Sequence, residues 1–326
     1  MSVEKQQSAE FISVNDNATD TEHILVIHLG TLGDFVLSLG AMAAIHQHHS
    51  TAKVTLMTSR SFVDLARHSG YFDQIWEMPD YRWFELSRWL GLIHGLWSKD
   101  FDRVYDLHAN DRTRMIRYLS PPKMKKHWSG GAKDSDLTEG VKLHVWDRHI
   151  KTLKAAGISN ITFPDLDWME GDVSYFYIPK DYALLVPGSA PSQPDKRWPA
   201  IRYGALAKKL VHAGITPVIL GTSDDRQDID KICKICPEAI NLLGKTTLFE
   251  IGALGRDAVC AIGNDTGPMH LVAAAGCPSL TLFSAASDPA LSAPRGDKVV
   301  VLHSDDPGDL SVEDIYSTLT NQGFID

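Results

Sequence analysis

From residue 23 onward, short runs of apolar and β-branched residues alternate with longer stretches whose apolar positions recur at helical spacing. HILVIH (23–28), KVTLMT (53–58), Gln74 to Met78 and DRVYDL (102–107) read as strands. Helices are predicted over Asp34 to about His48, near 61–68, through Trp83–Trp97 and through Arg112–Leu119. Strands alternating with helices imply βαβ units around a parallel sheet. The almost continuous apolar character of the strands suits a sheet covered on both faces.

The period is lost in ISNITFPDLDWMEGDVSYFYIPKD (158–181), where prolines, acids and aromatics mix, and a connection between domains is expected there. The alternation then restarts with YALLVP, a helix over 199–213, TPVILG, helices over 225–235 and 247–254, AVCAIG, a helix over 268–275 and SLTLFS. At about 150 residues per domain, 326 residues hold two such units. The expected organisation is a polar, disordered lead-in over 1–22, an α/β domain over 23–165, a linker over 166–180 and a second α/β domain over 181–326.

Charge and composition narrow the partners. A formal net charge of −9 disfavours a nucleic-acid partner, whose affinity would come from phosphate neutralisation. Four cysteines are too few for a disulfide framework and suit a reducing compartment. The C-x-x-C of Cys233 and Cys236 has no second ligand pair, so these two, with Cys260 and Cys277, are expected to be structural thiols. MSVEKQQSAEF lacks the basic and apolar regions of a secretory signal. The uncharged runs Phe35–Ala52 and Thr266–Ser287 are interrupted by Gln47 and histidines, and by Gly267, Pro268, Gly276 and Pro278. No transmembrane segment is expected.

In open α/β sheets, ligands bind beyond the carboxyl ends of strands, and three such junctions are unusual. In LGTLGDFVLS (29–38), Gly30 and Gly33 let the backbone turn tightly and approach a ligand, while Asp34 stands at a helix start. Asp34 could equally be only a helix cap. In LVPGSAPSQPDKRWP (185–199), a loop of small residues ends in Lys196 and Arg197 ahead of Pro199. Lys196 could meet a diphosphate as a point charge or stand solvated at the surface. In AIGNDTGPMHLVAAAG (261–276), the N–H groups of Thr266 and Gly267 would open a helix as an anion site. There Asp265 could instead be the N-cap, and His270 a core histidine.

Other chemistry fits poorly. No P-loop and no G-x-S-x-G elbow is present. Of the D-x-D strings, Asp165–Asp167 falls in the connection, and Asp228 with Asp230 falls on a helix where i and i+2 diverge. His46, His48 and His49 sit at a helix end, where they suit the dipole. No metal site is expected. One basic stretch stands out in the acidic chain: Arg112, Arg114, Arg117, Lys123, Lys125 and Lys126, without an acid between them. It reads as a solvated helix face with a loop, or as a surface for an anionic partner.

The three junctions in this order resemble glycosyltransferase family 9, the ADP-heptose:lipopolysaccharide heptosyltransferases. The matching stretches are ILVIHLGTLGDFVLS, DKRWP, LLGKTTLFEIGAL and GNDTGPMHLVAAAGCP. The resemblance implies an α/β fold of GT-B type, with two Rossmann-like, doubly wound domains and an inter-domain cleft. It implies inversion without a metal and with no cofactor, from an ADP-sugar donor to an anionic lipopolysaccharide core acceptor at the membrane surface. It places the enzyme in the cytoplasm, at the inner face of the inner membrane. Asp34 would be the general base, and Lys196 would stabilise the leaving diphosphate. The donor would be met by Gly188, Ser189, either Asp224 or Asp225, Thr246, Asp265, Thr266, Gly267 and His270. The acceptor would be met by Gly33, Arg60, Arg112, Arg114 and Arg117. Transfer of another activated sugar to O-antigen, capsule or protein, and a non-catalytic nucleotide-sugar-binding relative, are the alternatives. A nicotinamide oxidoreductase is disfavoured because the first loop lacks the dinucleotide spacing. One departure is visible: where the family reads F-G-P-T-D-P, this chain reads LFSAASDP.

Overall fold

A computed structural model describes residues 11–13, 21–78, 86–131, 142–164 and 166–326. The chain divides into two compact units, Met1–Phe163 and Pro164–Asp326. Each is built on a six-stranded sheet.

In the N-terminal unit the strands are β1 (Phe11–Ser13), β2 (His23–His28), β3 (Lys53–Thr58), β4 (Gln74–Glu77), β5 (Arg103–Asp106) and β6 (Trp128–Gly130). They lie in the order β1-β4-β3-β2-β5-β6, parallel except for the antiparallel edge strand β1. The polar lead-in expected over 1–22 therefore contributes a three-residue strand, while 1–10 and 14–20 lie outside the described residues. The helices are α1 (Leu32–His48), α2 (Val63–Ser69), α3 (Leu86–Ser98), α4 (Asp111–Leu119), α5 (Pro122–Lys126) and α6 (Val145–Ala155). Strand β2 shows why apolar runs read as central strands: Ile24, Leu25, Val26 and Ile27 are all fully buried, so both faces are covered. Leu25, Ile27, Met57, Trp76 and Val104 pack with Leu92 and Leu96 of α3 and Ile116 of α4 into one core.

The C-terminal unit holds β7 (Tyr182–Val186), β8 (Thr216–Ile219), β9 (Ile240–Asn241), β10 (Cys260–Asn264), β11 (Ser279–Phe283) and β12 (Val299–His303). Their order is β12-β11-β10-β7-β8-β9, parallel throughout. Its helices are α7 (Ala200–His212), α8 (Arg226–Ile235), α9 (Leu248–Asp257), α10 (Gly267–Ala274), α11 (Pro289–Ser292) and α12 (Val312–Asn321). The stretch expected as a linker packs onto this unit. Leu166 and Met169 are buried, and Arg256 of α9 donates to both of their carbonyls. Cys236, Cys260 and Cys277 are buried free thiols, and burial pushes Cys277 up to about 12.

The chain order gives each sheet a point where successive connections reverse direction. That point lies between β2 and β5 in the first unit and between β7 and β10 in the second. Open α/β sheets bind ligands at such points.

Candidate active site

In the first unit, α1 starts two residues earlier than expected. Thr31 is its N-cap, and Asp34 is the third helical residue of a reciprocal capping box. The Asp34 carboxylate accepts from the Thr31 N–H at 3.1 Å and from the Thr31 hydroxyl at 2.8 Å. Asp34 is thus a capping partner rather than the cap, and it remains half-buried rather than sealed. A Cβ on Gly30 would stand 2.5 Å from the His108 ring and 3.0 Å from the Asp34 carboxylate. Only glycine allows the imidazole and the carboxylate to converge over this turn.

The strand pairing that sets Ile27 beside Asp106 brings further groups to the same place. Asp106 is buried at the end of β5, and its carboxylate accepts from the N–H groups of His108 (3.1 Å) and Ala109 (2.9 Å). Ala109 takes a left-handed conformation (φ 57°), uncommon for a residue with a side chain. Such strain gathers at functional loops. His28 is fully buried at the end of β2, and neither ring nitrogen has a hydrogen-bond partner among the described residues. His149 of α6 is buried and bonds the Leu107 carbonyl through Nε2 at 2.8 Å.

Electrostatics separate these groups sharply. Burial would push the Asp34 carboxyl up, but the Thr31 hydrogen bonds and the nearby imidazoles of His28 and His108 leave it below its ordinary value. Burial, reinforced by His108, depresses His28 to about 3, and burial depresses His149 to about 4. Burial also lowers His108. At neutral pH the site is therefore a carboxylate among uncharged imidazoles. Asp106 is raised, because its burial outweighs the N–H bonds it accepts.

This arrangement carries a stability cost in acid. The unfolded chain titrates its histidines near 6.5, whereas His28 and His149 resist protonation until about 3 and 4. Above pH 6.5 neither state takes up these protons and the stability is complete. As pH falls below 6.5 the unfolded chain binds protons that the folded chain cannot, and stability declines towards the folded values. Each unit of that gap is worth about 1.4 kcal/mol. Calorimetry should show the transition temperature falling between pH 6.5 and 4.5, with a shallower fall in His28→Leu. An identical slope in that variant would remove His28 from the account.

In the second unit the loops after β7, β8 and β10 converge. Lys196 Nζ lies 2.6 Å from Asp265 Oδ2, and both side chains are largely buried. Asp265 follows β10 directly, and its N–H donates to the Leu282 carbonyl. The cap of α10 is Thr266 rather than Asp265, so the carboxylate is released for Lys196. Burial would raise Asp265, but His270 and Lys196 beside it hold it below its usual range. His270 Nε2 stands 3.8 Å from that carboxylate, while its buried Nδ1 has no partner among the described residues. Thr266 and Gly267 are half-buried at the start of the helix.

Arg197 faces the other way. Its guanidinium reaches Asp225 at 3.0 Å, Asp228 at 3.1 Å, and both the hydroxyl and carbonyl of Ser189 at 3.0 Å. Ser189 and Asp225 are consequently buried wall residues, while Asp224 stands exposed beside them. A Cβ on Gly188 would sit 2.7 Å from the Asp225 carboxylate, so this glycine makes room for the ion pair. Asn264 fastens the assembly, accepting from the Trp198 N–H and the Tyr203 hydroxyl at 3.0 Å each and donating to the Pro187 carbonyl at 2.6 Å. Leu220-Gly221-Thr222-Ser223-Asp224-Asp225 repeats the turn of Leu29–Asp34. Thr222 caps, and Asp225 accepts from its N–H (2.9 Å) and hydroxyl (3.1 Å).

The remaining expected residues are more dispersed. Thr246 is half-buried just ahead of Thr247, which caps α9. Arg60 is exposed and paired with Glu77, Arg114 pairs with Asp111, and Arg117 lies over the Trp128 ring. Arg112 is half-buried, and Gly33 is buried inside the first turn of α1. The basic stretch is not a helix and a loop, because α5 and β6 follow α4. His49 bonds Tyr105 and Glu22, and Asp228 answers Arg197 and Lys231. Asp165 lies outside the described residues. Near the ends of β11 and β12, a depression of roughly 550 Å³ is lined by Ala285, Ala286, Ser287, Asp288, Pro289 and His303. It is formed largely by the LFSAASDP departure.

Two Rossmann-like units with ionic loops at their switch points define a glycosyltransferase fold of GT-B type. The chain belongs to glycosyltransferase family 9 (heptosyltransferase), whose family model matches residues 151–315. It is 25% identical over 305 residues to lipopolysaccharide heptosyltransferase 2 of Escherichia coli K12, covering 86% of this chain and 87% of that one. A family 9 glycosyltransferase structure from Veillonella parvula superposes with a TM-score of 0.76 at 20% identity, covering 93% of this chain and 97% of the other. The E. coli heptosyltransferase WaaC with ADP-2-deoxy-2-fluoro heptose superposes at 0.71 and 16% identity, covering 92% and 99%.

Proposed function

We propose that this glycosyltransferase moves a heptose from ADP-heptose to an anionic lipopolysaccharide core acceptor, inverting the anomeric centre without a metal. The acceptor hydroxyl oxygen attacks the anomeric carbon as the bond to the diphosphate oxygen breaks on the opposite face. Asp34 takes the hydroxyl proton. The leaving ADP gathers negative charge on its terminal phosphate, where Lys196 and the N–H groups at Thr266 and Gly267 stabilise it. Asp265 orients Lys196 and meets the sugar hydroxyls, and His270 Nδ1 offers an unused contact to sugar or phosphate. Asp224 reaches the ribose and Thr246 the base. Ser189, Gly188 and Asp225 shape the wall through Arg197. Gly33, Arg60, Arg112, Arg114 and Arg117 lie on the acceptor unit, at the cytoplasmic face of the inner membrane.

The observation that carries this reading is the buried Lys196–Asp265 pair beside the start of α10, a cation held where a departing diphosphate would develop charge. The relatives named as lipopolysaccharide heptosyltransferases supply the sugar and the acceptor class.

A thermal-shift panel of ADP, UDP, GDP and NAD, each with EDTA, tests it. A ligand at a hundred times its dissociation constant contributes about 2.7 kcal/mol, read as a shift of a few degrees. ADP alone should stabilise the protein, and EDTA should change neither that shift nor turnover. Stabilisation by UDP or GDP would move the reading to another donor, which the altered depression around Ser287 and Asp288 would then accommodate. NAD alone, or a strict metal requirement, would overturn the reading.

A further inference from the structure

Of the eight exposed large apolar side chains among the described residues, four lie on two neighbouring helices. Leu90 (66% exposed) and Trp97 (60%) stand seven residues apart on one stripe of α3, while Met115 and Tyr118 (75%) share a face of α4. The Trp97 Nε1–H donates to the Leu119 carbonyl at 3.0 Å, which joins the two faces into one surface. Lys125 closes it from α5, its ammonium donating to the Tyr118 carbonyl at 2.6 Å and lying 5.6 Å from the centre of the Tyr118 ring. Lys126 is exposed next to it. The acids nearby are already engaged, Asp111 by Arg114 and Asp100 by Lys123.

We propose that this face is a membrane-docking surface for anionic phospholipid. Isolated exposed apolar residues need no explanation, but a contiguous aromatic and aliphatic patch marks an interaction site. Here the charge decides the partner. Trp and Tyr have an apolar body and a polar tip suited to the headgroup boundary, and Lys beside them extends its ammonium towards phosphates. A symmetric contact between two copies would set Lys125 and Lys126 against the same lysines, whereas an anionic lipid surface complements them. The position fits the work. Helix α4 begins just after the His108–Ala109 loop, and seven residues of helix carry Tyr118 about 10 Å from it. A lipid-anchored acceptor held at this face would thus present its sugars towards Asp34. This last link rests on the function proposed above; lipid binding itself does not.

The test is flotation of the purified protein with vesicles free of lipopolysaccharide and donor. Vesicles of phosphatidylglycerol and phosphatidylethanolamine should carry the protein up, and phosphatidylcholine vesicles should not. Leu90→Ser with Tyr118→Ser, and separately Lys125→Glu with Lys126→Glu, should each weaken binding at least tenfold, given about a factor of five for each lysine near the surface. The circular dichroism and thermal transition of each variant should stay as in the wild type. Equal binding to both vesicle types, wild-type binding by folded variants, or concentration-dependent dimerisation lost in the same variants would overturn the proposal. If flotation succeeds and the ADP panel fails, the docking surface stands and the catalytic reading falls.

Discussion

Asp34→Asn is expected to reduce kcat by roughly two to four orders of magnitude, the usual contribution of a positioned general base. Asparagine retains an oxygen for the Thr31 N–H and hydroxyl, so the capping box at 3.1 Å and 2.8 Å should survive. The thermal transition should move little, and ADP should stabilise the variant as it does the wild type. Steady-state kinetics alongside the ADP shift separate the outcomes. A loss confined to donor binding, with kcat unchanged, would remove Asp34 from the chemistry. Because the group contributes in the transition state, kcat and kcat/KM should fall together.

Lys196→Ala is expected to be costly twice over. Asp265 would be left as a buried carboxylate without its cation, a loss of about 3–5 kcal/mol when one partner of such a pair is removed. The same change removes the charge proposed to hold the leaving diphosphate, so the ADP shift and turnover should both collapse. A second variant separates the effects. Lys196→Met with Asp265→Asn removes both charges and should recover most of the stability while leaving turnover absent. Recovery of turnover in the double variant would show that the pair is structural only. Denaturant titration with an activity assay reads both quantities.

Much of the fold was legible because its signal is local. Apolar runs such as HILVIH and YALLV end within a residue of β2 and β7, since full burial on two faces demands uninterrupted apolar residues. The pieces that escaped are short or held by remote partners. Strand β9 has two residues and β6 has three, too few to show a period, and β1 is an edge strand inside a polar segment. The candidate site divides in the same way. Asp34, Lys196 and Asp265 stand in glycine-rich or proline-marked loops that announce themselves. His28, Asp106, His108 and His149 do not, because they come from three separate stretches, the ends of β2 and β5 and helix α6, and meet only in the folded unit. A histidine closing an apolar strand, and Asp-Leu-His-Ala-Asn after another, were the signals available. Adjacent cations also diverge in a way the sequence does not show: Lys196 faces Asp265, whereas Arg197 faces Asp225 and Asp228. That divergence also answers which of Asp224 and Asp225 is locked into the wall.

The turn shared by Leu29–Asp34 and Leu220–Asp225 bears on how the carboxylate proposed as the base would persist through sequence drift. In both copies a threonine and an aspartate three residues on close the helix start, which is worth about 1 kcal/mol to folding wherever it occurs. One copy is quenched by an arginine; the other is left facing imidazoles that stay neutral. On the proposed mechanism the Asp34 carboxylate is therefore retained by two pressures at once, and a lineage that abandoned the chemistry would still keep its aspartate for the helix. Persistence of that aspartate in distant descendants would then be poor testimony of activity, and persistence of the neutral imidazoles around it the better one.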